Sequence, residues 1–297
     1  MSTQKKFHCA CTGLALETAQ SHSAAQDITL FASCFSPFAQ RVWTAMEYLG
    51  IPYQYCRNLL AWINSSYHLT LDEVDMRKRS DLLEISPKGL VPALKLNDHT
   101  PVRGLHESTV ILEFLEELAC QSNGLSLLPK DPYARALVRL QCDHINQIIV
   151  PSFYRFLQLA QDESAQVTAA QDFRQALETL IGLLERAEND ALCEGDTEMG
   201  EPTGLGLWNN CGAMNLTDVM VAPYLFRATN VLKYYRAFQL PEGVKFKAWT
   251  TRLLEHPAFK VTCSTEQLYL DSYERYAFNR PNISQVGNAI NSGKPLP

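Results

Sequence analysis

The fold is decided by the stretch Ile28-Thr-Leu-Phe-Ala-Ser-Cys-Phe-Ser-Pro-Phe38, because its pattern changes there from that of a strand to that of a helix. Residues 28–34 are apolar and β-branched, which is typical of a buried strand. After a short turn, apolar side chains recur at helical spacing at Phe38, Val42, Met46 and Leu49. Gly50 suits the end of this helix, because glycine readily adopts the left-handed conformation found there.

The segments that follow extend this pair into a sheet. Ile51-Pro-Tyr-Gln-Tyr55 predicts a second strand, so that the domain opens with a strand–helix–strand unit. Two further extended pieces are expected at 90–95 and 101–103, and a helix from Ser108 to about Leu118. This order of elements is typical of a thioredoxin-like α/β domain with a four-stranded mixed sheet.

The rest of the chain is expected to be helical. Residues 119–131 are polar and contain Gly124 and Pro129, which indicates a linker. Beyond it, stripes such as Leu137, Leu140, His144 and Ile148 predict a helical bundle. The expected domains are a disordered lead-in over 1–26, the thioredoxin-like domain over 27–118, the linker over 119–131, an all-helical domain over 132–280 and a tail over 281–297.

Composition and charge argue against several classes of protein. A net charge of −6 gives no electrostatic attraction to nucleic acid or anionic membranes. No apolar run approaches the ~20 residues of a membrane-spanning helix, and the N-terminus lacks the apolar core of a secretory signal. The nine cysteines show no paired metal-binding spacing, so we expect reduced thiols, no metal site and a cytoplasmic protein.

Ser36-Pro37 is the sharpest local signal in the chain. Serine is a preferred N-cap residue, and proline is favoured at the first position of a helix. A thiolate near residue 36 would meet free backbone N–H groups, the positive end of the helix dipole and a hydroxyl donor. Ordinary capping without chemistry explains the same dipeptide, so both interpretations are open from these residues alone.

Gly89-Leu-Val-Pro-Ala93 places a proline in an apolar run. Because proline cannot donate a hydrogen bond inside a sheet, Pro92 is expected at the start of a strand or in a turn, with a cis peptide bond before it. The backbone N–H and C=O groups of Val91 would then be available to an extended peptide from outside.

Glu107-Ser108 lies where the next helix is expected to begin. The N–H groups at the start of that helix can hold a carboxylate, and the Glu107 carboxylate can bind an ammonium group. The γ-glutamyl end of glutathione carries both groups. Helix capping alone is again the alternative.

Together, these motifs resemble the glutathione transferase superfamily, in particular its omega-like class with fungal-type features. The matching stretches are Phe35-Ser-Pro-Phe-Ala-Gln-Arg41, Ser86-Pro-Lys-Gly-Leu-Val-Pro92, Leu105-His-Glu-Ser-Thr109, Val231-Leu-Lys-Tyr-Tyr-Arg236 and Tyr273-Glu-Arg-Tyr-Ala-Phe-Asn-Arg-Pro281. The resemblance covers about residues 27–297 apart from an insertion.

The resemblance implies a homodimer that uses glutathione as its co-substrate. The glutathione-binding residues that it implies are Phe38, Arg79, Val91, Pro92, Glu107 and Ser108. In such a site, Val91 pairs its backbone with the cysteinyl group, while Glu107 and Ser108 hold the γ-glutamyl group. Arg79 is the best match for the residue that binds the glycine carboxylate, followed by Lys78.

Omega-like enzymes typically have cysteine before the Pro-Phe pair, whereas this chain has Ser36. A serine cannot form a mixed disulfide, so Ser36 is expected to activate glutathione for conjugation to an apolar electrophile or for peroxide reduction. Two alternatives are open. Cys34 could serve a thiol reductase, although a structural role is preferred for it, or the protein could be a non-catalytic carrier of glutathione adducts or apolar metabolites.

Residues 56–72 form the insertion. They lie where the second strand should lead directly into the next helix, and they are longer than such a connection needs. Two explanations are open: an excursion outside the sheet, or non-native sequence such as a translated intron.

Few residues of the helical domain suggest chemistry. Asn215 and Asp218 have the spacing of a helix cap, which is interpreted as a folding signal. The aromatic residues of 150–156, with Trp208 and Tyr276, are candidates for the second-substrate site, although packing explains each of them. His144 is interpreted as an interior residue rather than a catalytic one.

Overall fold

The computed structural model describes His8 and residues 10–57, 80–122, 124–158, 163–193, 204–210, 212–280 and 284–297. The chain divides into two units. The first unit consists of Met1–Gly124 and Pro257–Ser272, and the second of Leu125–His256 and Tyr273–Pro297.

A four-stranded mixed sheet forms the centre of the first unit. Its strands are β1 (Ile28–Ala32), β2 (Gln54–Arg57), β3 (Ala93–Leu96) and β4 (Arg103–His106), in the order β2-β1-β3-β4. Strand β1 is parallel to β2, while the β1–β3 and β3–β4 pairs are antiparallel. The predicted thioredoxin-like fold with a largely helical C-terminal region is therefore confirmed.

Thirteen α-helices lie in the part of the chain that the structure describes. In chain order they are α1 (Gly13–Ser21), α2 (Pro37–Leu49), α3 (Ser80–Ile85), α4 (Ser108–Ser122), α5 (Pro132–His144), α6 (Val150–Gln158), α7 (Glu163–Cys193), α8 (Leu216–Arg227), α9 (Lys233–Arg236), α10 (Val244–Glu255), α11 (Pro257–Lys260), α12 (Glu266–Ala277) and α13 (Gln285–Asn291). Two π-helical turns, Ile145–Ile149 and Ala228–Leu232, join α5 to α6 and α8 to α9.

Helix α2 forms where the sequence predicts it. Its apolar face is fully buried at Val42, Met46 and Leu49, as the helical spacing of these residues requires. Gly50 ends the helix with a φ of 66°, a left-handed conformation that costs glycine little. The helix therefore has a fixed start, a fixed end and a buried face.

The prediction of a disordered lead-in over residues 1–26 is wrong for residues 13–21, which form α1. Cys11, Ala15 and Ala19 recur every four residues, which places them on one side of the segment, and all three are buried. These side chains are small, so the periodic signal is weak in the sequence. The burial shows that docking against the first unit stabilises the helix.

Residues 257–272 also differ from expectation, because they belong to the first unit and not to the helical domain over 132–280. The buried Gln40 side chain explains this, since its Nε2 donates to the carbonyl and the hydroxyl of Thr262.

The expected tail over 281–297 contains α13, whose N-terminus is capped by Ser284. The expected linker over 119–131 begins later, because α4 continues to Ser122.

Aromatic side chains form the interior of the second unit. The Phe153 ring lies 5.9 Å from that of Phe173, 5.6 Å from that of Tyr224 and 6.4 Å from that of Tyr273.

The predicted apolar stripe along α5 and the π-helical turn that follows it is wrong at Leu140, which is 45% exposed, and at Ile148, which is 46% exposed. The buried face instead includes Val138, Gln141 and Cys142.

A capping box opens α8, as the spacing of Asn215 and Asp218 predicts. Asn215 Oδ1 accepts from the Asp218 N–H at 3.0 Å, and Asp218 Oδ2 accepts from the Asn215 N–H at 3.0 Å. Asp218 Oδ2 also accepts from the Leu207 N–H at 2.8 Å, which ties the 206–208 turn to the helix.

No helix among the described residues is long and apolar enough to cross a bilayer.

Candidate functional site

Ser36 occupies the N-cap of α2, as its sequence context predicts. Its backbone is extended, with φ −71° and ψ 121°, and its Oγ accepts from the Ala39 N–H at 3.3 Å. Pro37 follows at the first helical position. The half-buried Ser36 hydroxyl therefore lies at the positive end of the helix dipole.

The Val91–Pro92 peptide bond is cis, which confirms the expectation from the sequence. Pro92 is buried and Val91 half-buried, immediately before β3. Within the part of the chain that the structure describes, neither the N–H nor the C=O of Val91 makes a hydrogen bond. Both groups are thus available to an added extended peptide.

Ser86 fixes the loop that leads to Val91. Its Oγ accepts from the Leu90 N–H at 3.1 Å and donates to the Leu90 carbonyl at 3.0 Å. Its carbonyl accepts from the Gly89 N–H at 2.7 Å, and Gly89 has a φ of 63°. These contacts explain why a serine and a glycine occur in the stretch 86–92, of which Ser86 is notable in the sequence only through the resemblance.

Glu107 has a φ of 72°, which is rare for a residue with a side chain. It lies between the last residue of β4 and Ser108, the buried first residue of α4, while its own side chain is exposed. Its carbonyl accepts from the Ile111 N–H at 3.0 Å, so the helix fixes this conformation. A left-handed conformation costs such a residue about 1–2 kcal/mol, and residues of this kind concentrate at functional sites.

The register of the sheet brings these three segments together. Ala93 pairs with Phe31 on one side and with His106 on the other. Ser36 follows the end of β1, Val91 and Pro92 precede the start of β3, and Glu107 and Ser108 follow the end of β4. All three segments therefore leave the sheet at the same end.

Phe38 is half-buried on the first turn of α2, and its ring centroid lies 5.5 Å from the guanidinium carbon of Arg41. Arg41 is fully buried, although arginine is rarely found inside proteins. In the sequence, Arg41 is notable only as part of the resembling stretch 35–41. Its spacing from Phe38 by three residues on one helix is the signal that could have found this pair.

Cys34 lies in the turn between β1 and α2, outside the helix start. The half-buried thiol donates to the His8 carbonyl, with 3.6 Å between the sulfur and the oxygen. On the neighbouring strand, burial raises the pKa of Tyr55 well above its usual value, and the sulfur of Cys11 lies 3.6 Å from its hydroxyl. The six cysteines whose side chains the structure describes are thiols and not disulfides.

Other predicted residues lie outside the described part of the chain or within the second unit. Arg79 and Lys78 lie outside the described residues, as do positions 58–72 of the insertion. The aromatic candidates Phe153, Tyr154, Phe156, Trp208 and Tyr276 are buried inside the second unit. His144 Nε2 bonds the Ala176 carbonyl at 2.8 Å, in line with its interpretation as an interior residue. No cluster of metal-ligating side chains occurs among the residues described.

Comparison with known proteins gives consistent matches. The family described as "Glutathione S-transferase, N-terminal domain" matches residues 35–118. "Probable glutathione S-transferase BZ2" from Zea mays is 34% identical over 234 residues, which span 76% of this chain and 85% of that protein. "Glutathione S-transferase U2" from Arabidopsis thaliana is 31% identical over 154 residues, which span 51% of this chain and 57% of that protein. The crystal structure of glutathione transferase Omega 3C from Trametes versicolor superposes with a TM-score of 0.67 at 31% identity, covering 91% of this chain and 98% of that one.

Proposed function

The chain belongs to the glutathione S-transferase family, and we propose that it uses Ser36 to activate glutathione for conjugation to an apolar electrophile or for reduction of a peroxide. Within the family, we propose an omega-like enzyme that has serine where cysteine is usual. Glutathione would bind in the thioredoxin-like domain, and the helical domain would supply contacts to the electrophile.

One observation carries this proposal: the register that aligns Phe31, Ala93 and His106. Because of it, a hydroxyl at a helix start, an unpaired stretch of backbone and a second helix start leave the same end of the sheet. A tripeptide with a thiol, two peptide bonds and charged ends needs that combination of groups.

Ser36 can donate a hydrogen bond to a bound thiolate while it caps its helix. A hydroxyl has one proton to donate and two lone pairs that accept, and Ser36 Oγ uses one lone pair for the Ala39 N–H. The helix dipole adds to this donor, and both favour the ionised thiol over the neutral one. In conjugation, the thiol proton leaves to solvent, the sulfur forms a bond to the electrophilic carbon, and the leaving group departs with its electron pair.

The rest of the tripeptide would be held by backbone and charge. Val91 would pair with the cysteinyl group ahead of Pro92, and Phe38 would pack beside the peptide. Glu107 would bind the γ-glutamyl ammonium, and the N–H groups at Ser108 its carboxylate. For the glycine carboxylate we propose Arg79, a residue that can make a bidentate contact.

Peroxide reduction would use the same thiolate. The sulfur attacks one oxygen, the O–O bond breaks, and the other oxygen leaves as an alcohol after taking up a proton. The sulfenic acid that forms reacts with a second glutathione to give glutathione disulfide and water. No protein thiol is required, which agrees with serine at position 36.

A thiol reductase based on Cys34 has less support. Its thiol donates to the His8 carbonyl, and it precedes the helix start, so it does not share the dipole that favours a thiolate at residue 36. Replacing Cys34 with Ser should therefore leave the rate of glutathione-dependent disulfide reduction the same as in the unaltered protein. Loss of a measurable reductase activity in this variant would favour the reductase over our proposal.

The family also leads us to propose a cytoplasmic homodimer. Sedimentation of the purified full-length protein tests its oligomeric state, because a dimer has twice the mass of the 33.5 kDa chain.

The main experiment compares Ser36→Ala with Ser33→Ala, a nearby serine whose hydroxyl makes no hydrogen bond among the described residues. Ultraviolet titration of enzyme-bound glutathione gives the pKa of its thiol, and an aryl halide measures conjugation. We expect Ser36→Ala to raise that pKa by about one unit and to lower kcat/KM roughly tenfold near pH 6.5, while Ser33→Ala changes neither. An unchanged thiol pKa in Ser36→Ala would contradict the proposed role.

A further inference from the structure

Helix α1 binds the loop Val261–Thr265, which lies between α11 and α12. The Ala15 N–H donates to the Cys263 carbonyl at 3.2 Å, Thr18 Oγ1 to the Val261 carbonyl at 2.8 Å, and the Thr12 N–H to Ser264 Oγ at 3.2 Å. Thr12 Oγ1 also accepts from the Thr265 N–H at 3.0 Å and lies 2.8 Å from Thr265 Oγ1. The bonds are spread along the whole loop, so α1 fixes its path.

Helix α2 binds the same loop through buried side chains. Gln40 Nε2 donates to Thr262 Oγ1 at 3.2 Å and to the Thr262 carbonyl at 3.4 Å, and Thr44 Oγ1 lies 3.4 Å from Thr262 Oγ1. Gln40 and Thr44 are buried. The loop therefore connects α1 to the helix whose first turn presents Ser36.

A second connection runs through two tyrosines next to α2. Cys11 Sγ lies 3.6 Å from the Tyr55 hydroxyl, and the Tyr55 ring lies 4.4 Å from that of Trp43 on α2. His22 stacks on Tyr53 with 4.0 Å between ring centroids, and the Tyr53 hydroxyl accepts from the Trp43 indole N–H. Cys11 and His22, which lie on either side of α1, are thus each connected through a tyrosine to Trp43.

A third connection lies beside the turn that precedes Ser36. The His8 carbonyl accepts from Cys34, and His8 Nε2 lies 2.9 Å from Asp271 Oδ2. The segment is therefore tied to one side of α2, through Gln40, Trp43 and Thr44, and to the turn before it. A helix held at this many points has little freedom to tilt or slide.

We propose that the N-terminal segment, His8 and residues 10–22, is a positioning element of the glutathione site, which sets the direction in which α2 presents Ser36. This inference rests on the proposed function of Ser36. The segment acts through α2, by fixing where the Ser36 hydroxyl and the helix start lie. Stabilisation of a charged group falls steeply when its donors are displaced by about 1 Å, so a small tilt of α2 would weaken it.

The test uses the full-length chain and two matched substitutions on α1. Ala15→Arg introduces a long side chain at a fully buried position, whereas Leu14→Arg makes a comparable change at the adjacent position, which is 43% exposed. A second variant, Thr12→Val with Thr18→Val, removes the hydroxyls that bond Thr265 and Val261 with little change in volume. Hydrogen exchange of the α1 amides shows whether the helix has been released.

We expect faster α1 exchange in Ala15→Arg and in the double Val variant, together with a roughly threefold to tenfold loss of kcat/KM for glutathione at pH 6.5. The loss should disappear near pH 9, where glutathione ionises without help from the enzyme. A merely structural defect would lower activity equally at both pH values. Leu14→Arg should match the unaltered protein.

The inference is overturned if α1 is released but the pH profile does not change, or if neither variant speeds exchange of α1. Ser36→Ala is measured in parallel to keep the two proposals apart. If Ser36→Ala leaves the pH profile unchanged, the proposed function fails; if it shifts the profile while released α1 does not, only the positioning role fails.

Discussion

Trp249 donates its indole N–H to Asp218 Oδ1 at 2.8 Å in the interior of the second unit. Burial raises the pKa of Asp218 from 3.8 to about 6, and the N–H donors of Leu207, Asn215 and Trp249 oppose this rise. The carboxylate is thus a buried charge that backbone and indole donors compensate in part.

Asp218 should make stability depend on pH between about 4 and about 6. The native state holds this proton more tightly than the unfolded state, so the contribution is complete below pH about 4 and is lost as pH rises through about 6. At about 1.4 kcal/mol per pKa unit, the loss is at most about 3 kcal/mol. Urea unfolding at several pH values, with Asp218→Asn as reference, measures it. A free-energy difference between the two proteins that is constant with pH would contradict the prediction.

Gly206 is predicted to be essential to the same cap. It has a φ of 55°, and a Cβ there would overlap Asp218 Oδ2 and Asn215 Cγ. Gly206→Ala should lower the free energy of unfolding by roughly 2–4 kcal/mol. Gly182→Ala is the matched control, because Gly182 lies inside α7 with nothing within 4 Å of its added Cβ, and it should gain up to about 1 kcal/mol. Equal melting temperatures for the two variants would refute this account.

Glu107 should show a trade-off between stability and binding. Glu107→Gly removes the cost of a φ of 72° and should raise the free energy of unfolding by up to about 1 kcal/mol, while it weakens glutathione binding about tenfold. Ala237→Gly offers a control, because Ala237 has a φ of 51° at the end of α9 and should gain stability without a change in binding. Calorimetry of melting and of glutathione binding gives both quantities. Unchanged glutathione affinity in Glu107→Gly would remove Glu107 from the site.

Ser36→Cys should convert conjugation into thiol exchange. A thiol at this N-cap has a lowered pKa and can form a mixed disulfide with glutathione, which a hydroxyl cannot. Mass spectrometry after treatment with glutathione disulfide should find glutathione on the introduced thiol of the variant, and aryl halide conjugation should fall. The measurement is repeated with Cys34→Ser present as well, so that the modified thiol is identified. Absence of the mixed disulfide would indicate that glutathione does not bind beside residue 36.

Local signals were predictable from the sequence. Each of three confirmed features depends on residues within a few positions of one another: the N-cap at Ser36, the cis peptide bond before Pro92, and the capping box of Asn215 and Asp218. Long-range features were not. The left-handed backbone of Glu107 is fixed by the meeting of β4 and α4, and a glutamate carries no sign of it.

Helix α1 shows the same limit. Its buried face consists of small side chains, so the sequence resembles a polar lead-in, and its partner loop lies more than two hundred residues further along the chain. The buried guanidinium of Arg41 likewise depends on the packing around α2 and cannot be inferred from charge alone. Periodicity along α5 identified a helix but selected the wrong apolar row at Leu140.

The first unit is completed by Pro257–Ser272, which has a consequence for biosynthesis. The ribosome makes the sheet early, yet Gln40, Thr44 and α1 meet their partner loop only after residue 265 has left the exit tunnel. All of Leu125–His256 is synthesised in the interval. The domain that comes first in the sequence is therefore among the last parts of the nascent protein to reach its native packing.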